Sequence, residues 1–264
     1  MLTRPRKWII VLAATVQAVL GTAAHADTLQ QVLNRGSLRV GVTLAEPWAF
    51  RNDERELRGF EIDVARQLAA DMDVSVEFVF YDFDRLIAGL EAGEVDLIAS
   101  GLAITADRAR HVNFSNPYAI GGVGIATNIA ATADVERLED FNSAGYTVAV
   151  LRSSVAAELA RRLLPRAELV EFRSEEEAAL ALVSGDADIY LDQEPAPRFL
   201  ALEYPRIVDV PLNRPLLESR FGFAVAKGDP DFVFYLNAWI EAREADTWLP
   251  TTHRYWFETL QWQD

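Results

Sequence analysis

The feature that most constrains this chain is a short pattern that occurs twice. Residues 90–100, LEAGEVDLIAS, and residues 182–192, LVSGDADIYLD, read alike. Each is a helix end, a glycine, an acidic turn and a buried strand. A glycine just past a helix supplies the left-handed residue that closes the last turn, so Gly93 and Gly185 are the expected helix stops. Shared αβ-turn chemistry is enough to produce the likeness. The likeness still places two α/β sheets one after the other.

The segments around each copy agree. Leu38-Arg39-Val40-Gly41-Val42 is a short β-type run, and Ile62, Ala65, Leu68, Ala69 and Met72 fall at helical spacing. Residues 74–80 read as a strand, 83–92 as a helix and 95–99 as a buried strand. The order then repeats. A strand at 146–150 precedes a helix with Ser153 or Ser154 as its N-cap, a strand at 169–172, a helix at 174–183 and a strand at 187–191. Strands alternating with helices predict βαβ units and parallel sheets. Between the two series, Gly121-Gly122-Val123-Gly124 lacks the third glycine of a dinucleotide fingerprint and opens no helix. It reads as a crossover strand. A second crossover is expected just before Phe221-Gly222-Phe223-Ala224-Val225, followed by a helix from about Pro230 and a tail rich in aromatic residues. No low-complexity linker divides the chain, so two strands rather than one tether are expected to join the halves.

Composition excludes several functions. The 264 residues are half hydrophobic and include no cysteine. That removes disulfide scaffolds, thiol nucleophiles and the usual zinc sites. A formal charge of −15 repels nucleic-acid phosphates. His111 and His253 are the only histidines after residue 26, no HExxH or GxSxG motif occurs, and neither a metal nor a cofactor is expected. The N-terminus carries Arg4, Arg6 and Lys7, an apolar run from Trp8 to about Leu20, and Ala24-His25-Ala26. A basic start, an apolar middle and a small-x-small end form a secretory signal peptide. The run of about 13 residues is short of the roughly 20 needed to span a bilayer. Residues 1–26 are therefore expected to be cleaved off, leaving a mature chain from Asp27.

Several further segments carry a resemblance. They are Leu38-Arg39-Val40-Gly41, Trp48-Ala49-Phe50, Gly59-Phe60-Glu61-Ile62-Asp63, Gly101-Leu102-Ala103-Ile104-Thr105 with Arg108, Phe114-Ser115-Asn116-Pro117-Tyr118 and the 222–228 segment GFAVAKG. In order and spacing they resemble the periplasmic amino-acid-binding proteins of ABC importers, the bacterial extracellular solute-binding family 3. The resemblance covers nearly all of the mature chain. It implies an α/β, two-lobed periplasmic-binding-protein fold of type II with two hinge strands. Lobe 1 is then 27–118 plus 222–264, and 119–221 holds the hinge strands and lobe 2. It also implies a monomer that hands an amino acid or related small carboxylate to an inner-membrane permease, without catalysis of its own.

The resemblance assigns a set of ligand-binding residues. Arg108, in a Thr-x-x-Arg element, grips a ligand carboxylate, a task to which a guanidinium fork is matched. Gly101 and Ala103 offer backbone groups. Ser153 and Ser154 open a lobe 2 helix whose free N–H groups attract anions. Phe83 is one aromatic wall, and Trp48 or Phe50 the other. Gln193 departs from the family, whose amino-acid binders carry there an Asp that pairs with the α-ammonium. An amide cannot neutralise a buried cation. Either Asp192 or Glu194 takes the role after a one-residue shift, or the ligand has no α-ammonium.

One enzymatic alternative follows from the same likeness. The tail from Asp231 to Trp262 is similar to that of periplasmic cyclohexadienyl dehydratases, which act on prephenate or arogenate. Those enzymes use a glutamate as general acid three residues after the Asp position, and that place here is Ala196.

Overall fold

The computed structural model describes residues 27–258 except 134, 136 and 213, and also Trp262. The expected signal peptide lies outside the described residues. Lobe 1 opens with α1 (Thr28–Arg35), β1 (Ser37–Val42), the hairpin β2 (Phe50–Arg51) and β3 (Leu57–Arg58), and α2 (Phe60–Asp71). It continues through β4 (Ser75–Phe80), α3 (Leu86–Glu91), β5 (Leu97–Ile98) and β6 (Asn113–Phe114). Lobe 2 runs from β7 (Ala119–Asn128) through α4 (Ile129–Thr132), β8 (Thr147–Leu151), α5 (Val155–Leu163) and β9 (Glu168–Phe172). It ends with α6 (Glu175–Ser184), β10 (Ile189–Gln193), α7 (Ala196–Glu203), β11 (Val208–Asp209) and β12 (Leu217–Phe221). The chain then returns to the first sheet as β13 (Ala224–Val225), followed by α8 (Pro230–Ala245) and α9 (Trp248–Phe257).

Each lobe is built on one sheet, ordered β4-β1-β5-β13-β6 in lobe 1 and β11-β7-β10-β8-β9 in lobe 2. β1 lies parallel to both β4 and β5, and β8 parallel to both β9 and β10. A strand covered on both sides loses the alternation of polar and apolar residues. Accordingly Leu38, Val40 and Val42 of β1 are fully buried, as are Ala149 and Val150 of β8. β7 and β12 pair antiparallel from Ala119↔Phe221 to Val123↔Leu217 and carry the chain between the lobes.

The repeated sequence pattern has a structural counterpart. Gly93 and Gly185 stand at φ 72° and 84°, ending α3 and α6. Three residues later, Asp96 accepts the Arg39 N–H at 2.7 Å and Asp188 accepts the Thr147 N–H at 2.8 Å. In both copies the aspartate thus ties the incoming strand, β5 or β10, to the neighbouring parallel strand, β1 or β8.

The C-terminal helices pack back on lobe 1 through indole donors. Trp239 Nε1 donates to Asp71 at 2.7 Å and Trp256 Nε1 to Asp63 at 2.9 Å. Among the described residues no helix is long and apolar enough to cross a membrane.

Candidate functional site

In both sheets the first of the parallel strands, β1 or β8, has a later parallel strand on either side, so the loops at its carboxyl end diverge and leave a crevice. Lobe 1 contributes the loops after β1, β4 and β5. Lobe 2 contributes the turn after β8 and the end of β10. The Ser100 hydroxyl accepts the Thr43 N–H at 2.8 Å and ties the β1 and β5 loops together.

Arg108 lies where these loops meet. Its backbone N–H donates to Thr105 Oγ1 at 3.2 Å, fixing the start of its short 3-10 turn. Nη1 donates to the Ala103 carbonyl at 2.9 Å, and Nη2 crosses to lobe 2 and donates to the Ser153 carbonyl at 3.0 Å. The guanidinium carbon stands 5.4 Å from the centre of the Phe83 ring, a cation–π arrangement. Arg108 is 8% exposed. Burial pulls its pKa down while the carboxylates of Glu158 and Asp107 oppose that shift. Arg110 is turned to Asp107 at 3.5 Å on the surface.

A second contact between the lobes is made by Gln193, whose Nε2 donates to the Gly101 carbonyl at 3.0 Å. Gly101 has φ 55°, and a Cβ there would stand 3.1 Å from Gln193 Oε1 and 3.2 Å from the Trp48 ring. Glycine therefore lets the amide and the indole close on the same loop. Arg152 to Asp84, at 2.8 Å, is a third inter-lobe contact. On the lobe 2 side, Ser154 is buried and its hydroxyl accepts the Ala157 N–H at 3.0 Å, which makes it the N-cap of α5. Ser153 precedes it at φ 59° and turns its carbonyl towards Arg108.

The structure brings Trp48, Phe83, Gly101, Ala103, Arg108, Ser153, Ser154 and Gln193 to this crevice. It does not bring Phe50. That ring packs on Trp256 at 5.9 Å and Trp262 at 5.4 Å, because β2 turns it into the C-terminal aromatic cluster. Trp48 instead packs on Phe221 at 4.9 Å and Phe257 at 4.6 Å with one ring edge at Gly101. Its carbonyl accepts the Glu61 N–H at 2.9 Å. Gly59 makes that approach feasible, since a Cβ there would stand 2.3 Å from the Trp48 carbonyl oxygen at φ 132°.

Two buried carboxylates behind the crevice, Glu61 and Asp192, brace it in a way the motifs that contain or flank them do not assign. Glu61 is fully buried and accepts the Gly101 N–H at 2.6 Å and the Tyr118 hydroxyl at 2.9 and 2.8 Å. Burial raises its pKa to about 7 against the pull of those two donors. Its signal was in the helical spacing, because Glu61 shares the α2 stripe of Ala65, Leu68 and Met72. Asp192 accepts the Tyr190 hydroxyl at 2.6 Å and the Gln193 N–H at 2.7 Å. Burial lifts it to about 6, and burial followed by the Asp192 charge lifts Glu175 well above the carboxylate range. Among the described residues no group of three or more acids or histidines could hold a metal.

Known proteins share this architecture. Residues 38–259 match the model of the bacterial extracellular solute-binding proteins, family 3. Cyclohexadienyl dehydratase of Pseudomonas aeruginosa is 24% identical over 253 residues, covering 94% of this chain and 94% of that one. The crystal structure of an ancestral amino acid-binding protein, a precursor of cyclohexadienyl dehydratase, is 32% identical with a TM-score of 0.79, covering 88% of this chain and 100% of that one. A putative ABC-transporter binding component from Wolinella succinogenes, complexed with lysine, is 30% identical with a TM-score of 0.79, covering 87% and 99%. With the family model matched from β1 to beyond α9 and the two wound sheets facing one crevice, this chain is a member of the bacterial extracellular solute-binding proteins, family 3.

Proposed function

We propose that the protein captures a small carboxylate between its lobes, with Arg108 as the anion anchor, and delivers it in the periplasm to an ABC permease. The observation that carries this reading is the setting of Arg108. Two of its five N–H donors are held by carbonyls from opposite lobes, and the whole group is shielded from water. A guanidinium in that setting binds a carboxylate more tightly than one in bulk solvent. Opening the hinge separates Arg108 from Ser153 and Gln193 from Gly101, which admits a ligand between them. Trp48 and Phe83 flank its body, Gly101 and Ala103 offer backbone groups, and the α5 N-terminus capped by Ser154 adds its N–H groups. Lobe 1 comprises 27–118 and 222–264, and 119–221 forms the hinge strands and lobe 2. The mature protein starts at Asp27 after signal cleavage and acts as a monomer. The likeness to an ABC-transporter binding component supports the delivery step.

The test is calorimetric titration of residues 27–264 with a panel of small carboxylates, alongside Arg108→Ala. The variant is expected to lose at least about 2 kcal/mol of affinity, roughly thirtyfold, because a charged hydrogen bond contributes about 1.5–3 kcal/mol. Unchanged affinity would refute the assignment.

The likeness to a cyclohexadienyl dehydratase favours a second reading, in which the same crevice acts on prephenate or arogenate. Its general acid would have to come from the start of α7, where Ala196 stands. Glu194, two residues earlier, bonds Arg198 at 3.2 Å instead. A general acid must reach the leaving group within hydrogen-bond distance. Release of phenylpyruvate from prephenate above the uncatalysed rate would establish the enzyme and displace the transport reading.

A further inference from the structure

We infer that the ligand is a carboxylic acid with no cationic amine, of the α-keto or α-hydroxy class. This rests on the binding reading above and names its ligand class. Arg108 and Gln193 bond carbonyls of one short segment, Ala103 and Gly101. Two residues of chain span at most about 7 Å, which is the scale of a carboxylate with its α-substituent. A molecule gripped by Arg108 therefore presents its α-substituent to Gln193 and Gly101.

The carboxylates around that point are bonded within the protein or, for Glu46 and Glu158, exposed to solvent. Asp192 is 1% exposed and is held by Tyr190 and the Gln193 N–H within lobe 2. Glu194 turns towards Gly124, is paired with Arg198 at 3.2 Å, and lines a cleft of about 510 Å3 together with Trp48, Phe199 and Phe257. Glu61 lies behind Gly101 and is held by that residue's N–H and by Tyr118. Asp84 is paired with Arg152. Glu158 is exposed and acts on the guanidinium itself. Glu46 is exposed and lies in the field of Glu203.

An α-ammonium placed there would meet the Gly101 carbonyl and the Gln193 amide oxygen, both of them neutral. Removing an ammonium from water without an anionic partner is strongly unfavourable. A keto or hydroxyl oxygen carries no such penalty. It accepts from Gln193 Nε2, which already points at this position, and a hydroxyl donates to the Gly101 carbonyl. Arg108 then neutralises the single negative charge.

The experiment compares matched triplets on residues 27–264 by calorimetry: phenylalanine with phenylpyruvate and phenyllactate, leucine with its keto and hydroxy acids, and glutamate with 2-oxoglutarate and 2-hydroxyglutarate. At least one deaminated acid is expected to bind about tenfold or more tightly than its amino acid. Gln193→Asp is expected to reverse that order, with Asp supplying the anion that an ammonium requires. An amino acid that binds the natural chain as tightly as its keto acid overturns the inference. If Arg108→Ala abolishes that amino-acid binding, the carboxylate-binding reading survives alone. Absence of binding by every deaminated acid also overturns it, and binding unaffected by Arg108→Ala removes the underlying reading instead.

Discussion

In lobe 1 the buried Glu61 accepts the backbone N–H of Gly101 and the hydroxyl of Tyr118; in lobe 2 the buried Asp192 accepts the backbone N–H of Gln193 and the hydroxyl of Tyr190. Both carboxylates hold from behind a residue that faces the other lobe. They differ in reach. Asp192 is next to Gln193 and two residues from Tyr190, so its bonds stay on β10. Glu61 is on α2, 40 residues from Gly101 and 57 from Tyr118, and it ties a helix to the β5 loop and to the residue just before the first hinge strand. The rim of lobe 1 is thus braced by tertiary structure, and that of lobe 2 by its own strand. Burial raises both, Glu61 from 4.5 to about 7 and Asp192 from 3.8 to about 6.

The largest expected effect uses that difference. A carboxyl whose pKa is raised on folding keeps its proton when the unfolded chain has already released one. Stability therefore falls as pH rises, from the ordinary value of 4.5 up to about 7 for Glu61. The drop amounts to about 3 kcal/mol, at 1.36 kcal/mol per pH unit. The stabilisation is complete below that window and lost above it. Urea denaturation from about pH 4 to about pH 8 should show the fall. Glu61→Gln should lessen the part nearest neutrality, whereas Asp192→Asn should lessen the part up to about pH 6 and, by removing the charge that helps raise Glu175, some of that group's share as well. A fall between about pH 6 and 7 as steep in Glu61→Gln as in the natural chain would break the comparison, because Glu175 by itself accounts for only the remainder.

Two glycines sharpen it at the next level. Gly59→Ala drives a methyl into the Trp48 carbonyl at positive φ, whereas Gly185→Ala meets open space at φ 84°. The first should cost roughly 2–3 kcal/mol and the second about 1 kcal/mol, measured by chemical denaturation. Equal costs would show that the α2 start is not braced as described.

The smallest effect is expected from the Arg152–Asp84 bridge between the lobes. Its side chains are 34% and 24% exposed, so its coupling should stay below about 1 kcal/mol. A double-mutant cycle on ligand affinity measures it. A larger coupling would mean that closure depends on this pair as well as on Arg108 and Gln193.

How much of this was legible depends on the range of the interaction that decides each feature. The strand and helix order could be read from periodicity, and the helix stops at Gly93 and Gly185 from local backbone chemistry. Ser154 as an N-cap is equally local, since its partner Ala157 is three residues away. The choice between Trp48 and Phe50 was not legible. Two aromatic residues in one loop differ only in where β2 and α9 carry them, and those contacts join residues about two hundred positions apart in sequence. The identity of Glu61 as a brace was half legible, since its place in an apolar stripe marks it as buried while its partners lie outside α2.

The amino-acid sequence alone determined the α/β alternation, the two successive sheets and the resemblance that singled out Arg108, because each is encoded in local spacing or in short motifs. Tertiary structure decided which indole meets Gly101, which carboxylates are engaged, and that the side chain crossing to Gly101 is the amide of Gln193. Those outcomes depend on the direction of a side chain relative to a distant surface, and that direction is set only when the two sheets face each other across the hinge strands.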